Sequence, residues 1–171
     1  MRKKEKGFSL IEILVVLGII GLFTTFLTPK ISYYLALGKE TKAIATLNSL
    51  RTASEMYQLE KGKALGLVEG KIKGNLTKDD AEKLKDFISG GYKDLTKNLE
   101  SNTNEILYEI GGSRGEAEEG KELGDITYGG EVKFTFKAPE GETSDGIKIW
   151  ITPAKETVGA YTMKGIKWGD L

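Results

Sequence analysis

The chain has 171 residues, no cysteine and no histidine, and its 25 basic residues balance its 25 acidic ones. This length allows one ordinary domain together with a membrane segment. The lack of cysteine excludes disulfides, thiolate catalysis and a lipidated cysteine anchor. The lack of histidine removes the commonest general base and zinc ligand, so an acid–base enzyme would depend on carboxylates.

The charges are distributed unevenly along the chain. Residues 1–6 hold four basic residues and one acid, whereas the chain from Lys30 onward holds 21 basic and 23 acidic residues. The bulk of the protein is therefore mildly acidic. Such a surface has no general attraction for phosphate backbones, so we expect no nucleic-acid partner.

Residues 8–28 form an apolar run that carries a single charge, Glu12. A helix of this length rises about 1.5 Å per residue and spans the roughly 30 Å of hydrocarbon in a bilayer. Because the basic residues precede the run, the positive-inside rule predicts a single-pass inner-membrane protein with its N-terminus in the cytoplasm. A cleaved secretory signal would need a small-residue site after Thr28, which the sequence lacks. A plain anchor gives no role to Glu12, whose charge is unfavourable in a membrane.

Residues 6–12 read Lys-Gly-Phe-Ser-Leu-Ile-Glu. This segment resembles the prepilin processing signature of type IV pilins and type II secretion pseudopilins, and the likeness extends to about residue 62. The resemblance implies that a prepilin peptidase cuts between Gly7 and Phe8 and methylates the new amino group of Phe8. Glycine lets a protease approach the backbone closely, although a flexible joint before a helix is the ordinary alternative.

The same resemblance implies an assembly role for Glu12. Cleavage would leave a cationic amine on Phe8, which the Glu12 carboxylate of a neighbouring subunit can neutralise in the apolar zone. Such pairing would set a fixed axial stagger between subunits. The ordinary alternative is a glutamate that snorkels or is protonated in a monomer.

The predicted fold is α+β, with a long N-terminal transmembrane helix and a C-terminal head built on an antiparallel sheet. Four segments are expected: a cleaved leader at 1–7, a membrane or filament-core helix at 8–29, the amphipathic half of the same helix at 30–62, and the head at 63–171. In the resemblance Pro29 is a kink inside the helix. The stretch from Gly18 to Pro29 either unwinds in a packed filament or permits close helix packing.

Local patterns predict several elements around and within the head. Apolar residues from Ile44 to Tyr57 recur at helical spacing and indicate a core-facing stripe, which Gly62 ends as a C-cap. Thr77, with Asp80 three residues later, predicts the start of a short helix near 78–89, with another turn at 92–99.

The C-terminal half is predicted to be mainly β-structure. Residues 111–124 read as a mobile or ligand-stabilised loop that opens with a turn at 111–115. Strands are predicted at 132–137, 147–152 and 158–164 in an antiparallel meander. Trp150 is expected to pack in the core.

Acidic side chains cluster in two of the predicted loops. Some secretion pseudopilins hold calcium in their C-terminal loops, and calcium prefers several oxygen ligands. Neither cluster matches an EF-hand, so solvated acidic loops are the alternative to calcium sites. The candidate ligands are Glu116, Glu118, Glu119, Glu122 and Asp125 in one cluster and Glu140, Glu142 and Asp145 in the other.

The predicted function is structural: a subunit that polymerises through its N-terminal helix into a periplasmic or cell-surface filament. The family implies as partners the prepilin peptidase, an assembly ATPase, an inner-membrane platform protein and minor pilins or pseudopilins. A secretion pseudopilus and a surface pilus both remain open, and the missing C-terminal cysteine pair favours the pseudopilus. A DNA-uptake pilin is an alternative, and a signal-anchored membrane enzyme is one of another class. No catalytic residue and no cofactor other than calcium is expected.

Overall fold

One long helix, α1, occupies Leu10–Lys61. This computed structural model describes residues 8–88, 93, 95, 104–116 and 123–171. The chain divides into two compact units, Met1–Leu35 and Ala36–Leu171. The helix continues through Pro29, as the resemblance implied.

The N-terminal part of α1 satisfies its own polar groups. Hydroxyls in this stretch donate to the carbonyl oxygen four residues earlier, at distances from 2.7 to 3.1 Å. The four donors are Thr24, Thr25, Thr28 and Ser32. An apolar environment offers no water, so polar groups that are paired within the helix suit it to lie in one.

The C-terminal unit packs on one face of α1. The predicted stripe is confirmed, since Leu47, Leu50, Ala53 and Tyr57 are all buried. The predicted C-cap is confirmed as well. Gly62 has a φ of 68°, and its N–H donates to the carbonyl of Gln58 at 2.8 Å. That left-handed conformation is one that glycine adopts without strain.

A second helix, α2, occupies Lys78–Leu84 and begins with the predicted cap. The Thr77 hydroxyl accepts the Asp80 N–H, and the Asp80 carboxylate accepts the Thr77 N–H. Asp80 is buried and also pairs with Lys73 at 2.5 Å. The helix is shorter than predicted because the residues after Leu84 form turns. Apart from residues 93 and 95, the predicted turn at 92–99 lies outside the described residues.

The described residues contain seven short strands in three antiparallel groups. The central group has the order β3-β6-β7, and β1 pairs with β2 and β4 with β5. The α+β prediction is confirmed. The strands are β1 Leu67–Val68, β2 Lys71–Ile72, β3 Leu107–Glu109, β4 Gly112–Arg114, β5 Ile126–Tyr128, β6 Glu131–Thr135 and β7 Trp150–Pro153.

Two local predictions in the sheet region are wrong. Residues 158–164 contain no named strand; Tyr161 makes only isolated bridges, to Arg114 and Lys167. The third strand of the central sheet is instead β3, whose three residues are too few to show alternation. The predicted turn at 111–115 contains strand β4, which pairs with β5.

The core of the C-terminal unit lies between α1 and the central sheet. It includes Phe134 from β6 and Ile151 from β7, both almost fully buried. Trp150 is 2% exposed and Trp168 is 1% exposed, so both tryptophans are buried. Trp168 opens a 3-10 helix at Trp168–Asp170, and its ring N–H donates to the Gly159 carbonyl at 3.0 Å. Burial of the indoles contributes to stability mainly through apolar area removed from water.

Candidate functional site: the N-terminal processing and assembly segment

The start of α1 is closed by a reciprocal cap. The Glu12 carboxylate accepts the Ser9 N–H at 2.7 Å, and the Ser9 hydroxyl accepts the Ile11 N–H at 3.3 Å. A carboxylate in the first turn also lies favourably against the positive end of the helix dipole. The Ser-x-x-Glu spacing at Ser9 and Glu12 is the sequence signal for this cap, and our sequence analysis missed it.

The predicted cleavage junction lies at the edge of the described residues. Phe8 is 85% exposed, whereas Gly7 falls outside them. Glu12 is exposed as well, and its carboxylate is hydrogen-bonded to the backbone of Ser9, the residue that follows the expected mature start. The geometry therefore leaves both Phe8 and Glu12 accessible to a neighbouring chain.

The apolar side chains of the N-terminal unit have no protein around them in the single chain. By length and composition, α1 is able to cross a membrane, and its most apolar stretch is not buried. Side chains such as Leu14 and Phe26 are more than half exposed. Such a surface is unfavourable in water, so this unit needs lipid or neighbouring helices around it.

Among the residues that the structure describes, the acidic side chains of the predicted calcium clusters do not come together. No group of three or more possible metal-ligating side chains occurs among the residues that the structure covers. The Asp145 carboxylate instead accepts the N–H groups of Ile147 and Lys148, both at 2.8 Å. Glu118, Glu119 and Glu122 lie outside the described residues. Calcium binding stays a prediction from the sequence.

A buried carboxylate on α1 holds the C-terminal segment of the second unit. Glu40 is 1% exposed and accepts the Met163 N–H at 2.6 Å. The Met163 carbonyl accepts from the Arg114 guanidinium at 2.8 Å, and a second Arg114 nitrogen donates to the Gly124 carbonyl at 3.2 Å. Burial raises the pKa of the Glu40 carboxyl, against the lowering effects of the Met163 hydrogen bond and the Lys164 charge. Glu40 lies seven residues before Leu47, in helical register with the buried stripe, which is the sequence signal for its burial; our sequence analysis began the stripe at Ile44 and missed it.

We expect Glu40→Gln to change how the stability of the native state depends on pH, because the variant removes the buried charge. Because the folded pKa is raised, protonation of Glu40 favours the native state below its ordinary value of 4.5, and that contribution is lost as the pH rises through the raised pKa. Glutamine keeps an acceptor for Met163 and has no charge to desolvate. The variant should therefore be at least as stable as the wild type at neutral pH and lose its advantage as the pH falls.

Thermal unfolding of the full chain in detergent across a pH series measures this difference. Glu142→Gln, at an exposed carboxylate, is the matched control and should show no such pH-dependent gain. A Glu40→Gln variant that is less stable than the wild type at every pH would contradict the interpretation.

An exposed apolar helix joined to an α+β unit is a pilin-like architecture. Residues 2–28 match the model of the prokaryotic N-terminal methylation motif, which confirms the recognition of this motif from residues 6–12.

The chain is similar to fimbrial and secretion proteins. It is 38% identical over 58 residues to a fimbrial protein of Pseudomonas aeruginosa, covering 34% of this chain and 38% of that one. It is 33% identical over 76 residues to the type IV major fimbrial protein FimA of Dichelobacter nodosus, covering 44% and 48%. It is 27% identical over 90 residues to the type II secretion system core protein G of Vibrio cholerae, covering 53% and 61%. The chain thus spans less than two thirds of each relative, and no solved structure matches it.

Proposed function

We propose that this chain is a structural subunit of a type IV pilus-like filament, processed at Gly7–Phe8 and polymerised through α1. The observation that carries the proposal is the methylation motif at residues 2–28, which includes the first part of α1, where the apolar surface is uncovered. A lone membrane anchor needs only the apolar surface. The motif adds a cleavage junction and an acid, which polymerisation uses and anchoring does not.

In this proposal the bilayer stores the subunit before assembly. The basic residues that precede Phe8 stay in the cytoplasm, and the C-terminal unit lies outside. Release of the leader creates the Phe8 amine, and Glu12 of a neighbouring subunit pairs with it as the helices leave the lipid. Helix–helix contacts then replace lipid contacts along the apolar surface. The prepilin peptidase, an assembly ATPase, a platform protein and minor subunits are the partners that this route requires.

Within this class we favour a type II secretion pseudopilin over a surface pilin. The similarity to core protein G covers 53% of this chain, whereas the similarity to the Pseudomonas fimbrial protein covers 34%. The absence of cysteine also means that no disulfide closes the C-terminal segment. The buried contact between Glu40 and Met163 supplies a connection of another kind there. Loss of secretion on deletion of the gene, with no filament on the cell surface, supports the pseudopilin assignment; a surface filament contradicts it.

Processing is the direct test of the proposed function. We expect the mature chain, isolated from the membrane or from filaments, to begin with N-methylated Phe8. Replacing Gly7 by valine should block cleavage because a branched side chain obstructs close approach to the scissile bond. Mass spectrometry of the N-terminal peptide measures both results.

Gly18→Ala is the control, because open space surrounds Gly18 inside α1, and this variant should be processed normally. A mature chain that starts elsewhere, or an unmethylated Phe8, would contradict the proposal.

A further inference from the structure

A pocket of about 410 Å³ lies beside β7, which is an edge strand of the central sheet. Its lining includes the buried residues Trp150, Ile151 and Trp168. The exposed residues Lys137 and Lys167 also line it, and neither forms an ion pair with any residue in the described ranges. The pocket is therefore apolar inside and positively charged at its opening, despite the presence of Glu140. It suits an apolar side chain accompanied by carboxylates.

The end of α1 presents such a group. Leu59 is 84% exposed and Met56 is 47% exposed, and the exposed carboxylates Glu55 and Glu60 flank them. We call these four residues the α1 tip patch. Glu60 pairs with Lys61 at 2.6 Å, so Glu55, Glu60 and Lys61 together leave one net negative charge beside the apolar side chains. At 3.6 residues per turn, Leu59 lies nearly opposite the buried Tyr57, so the patch faces away from the core of its own unit.

The other large apolar residues that the structure describes as exposed in this unit fit the pocket less well. Leu67 and Val68 are less exposed than Leu59, and the charges of their hairpin, Glu69 and Lys71, cancel, so the hairpin offers no net negative charge to the pocket lysines. Tyr128 has no carboxylate within two residues, and Ile166 is next to Lys167 itself. Charge and exposure together single out the α1 tip patch.

We propose that the pocket beside β7 receives the α1 tip patch of a second copy of this chain. The inference rests on the proposed filament function and names one contact within it. The pocket and the patch share no residue, and a pair of subunits that makes this contact once is joined head-to-tail. A head-to-tail contact leaves a free pocket at one end and a free patch at the other, and it propagates into a helical polymer instead of closing a dimer.

Disulfide trapping tests the contact, because the chain has no cysteine of its own. Oxidation of filaments carrying Leu59→Cys together with Ala138→Cys, which lies in the pocket lining, should give a ladder of covalent oligomers. Co-expression of the two single variants should give dimers only. Leu59→Cys with the exposed Thr127→Cys is the control pair, which should give neither a ladder nor covalent dimers.

Filaments of the pocket pair that yield no ladder, or an equal ladder from the control pair, would overturn the contact while leaving the proposed function intact. Wild-type chains that form no filaments would instead contradict the proposed function. The two failures are thus distinguishable.

Charge reversal gives a second, independent readout. Replacing Lys137 and Lys167 by glutamate should lower filament yield about tenfold, because like charges then face each other. Glu55→Lys with Glu60→Lys should do the same, and the four changes combined should restore the yield. Lys71→Glu with Lys78→Glu, at two exposed positions outside the pocket lining, is the control for net charge. Absence of restoration in the combined variant would likewise overturn the proposal.

Discussion

Replacing Glu12 by alanine is expected to leave membrane insertion and leader cleavage intact and to stop the chain from entering filaments. In a filament the Phe8 amine of each subunit would then have no counter-charge in an apolar surrounding. An unpaired buried charge costs about 3–5 kcal/mol, which corresponds to a loss of more than a hundredfold in incorporation. Quantifying the variant in membranes and in sheared filaments, alongside the wild type, measures the effect.

The cap on α1 gives Glu12 a second role, which a matched variant separates from the first. In the single chain the carboxylate accepts the Ser9 N–H at 2.7 Å, and losing such a cap costs about 1 kcal/mol. Glutamine preserves a capping acceptor but carries no charge. If the charge pair with Phe8 drives assembly, Glu12→Gln fails as Glu12→Ala does. If Glu12→Gln assembles normally, assembly depends on the helix cap, and the proposed charge pair between subunits is wrong.

The segments that the sequence predicts well are those that depend on neighbours in the chain. The stripe from Leu47 to Tyr57 and the cap at Thr77 and Asp80 are set by helical spacing over a few residues, and both are confirmed. The motif at residues 6–12 is likewise local. For the same reason its recognition does not depend on how the rest of the chain folds.

The elements that the sequence analysis missed depend on distant partners. Strand β3 has three residues and is positioned by pairing with β6, more than twenty residues later. Strand β4 contains Gly112, a residue that predicts a turn until its pairing with Tyr128 is known. Similarly, the hydrogen-bond donor of the buried Glu40 is the N–H of Met163, 123 residues away. Non-local pairings of this kind leave no periodic pattern in a short window.

Gly111 is the position where such a distant contact has its largest expected effect. A Cβ atom added there would come closer than 3.0 Å to backbone atoms of Ala36 in α1, where neither side has a flexible side chain to move. The backbone of Gly111 is further held by its carbonyl, which accepts the Gly129 N–H at 2.7 Å. Replacing Gly111 by alanine is therefore expected to destabilise the C-terminal unit by about 3 kcal/mol or more.

Gly115→Ala is the matched control, four residues along the same segment. Nothing lies within 4 Å of a Cβ added at Gly115, and neither glycine has a positive φ, so the two variants differ in steric contact alone. The control should change stability by no more than about 1 kcal/mol, in the stabilising direction, because alanine restricts the unfolded chain. Urea unfolding of the full chain in detergent, followed by fluorescence of the buried Trp150 and Trp168, compares the two. Equal urea midpoints for both variants would mean that the close contact between Gly111 and Ala36 contributes nothing to the stability of the C-terminal unit.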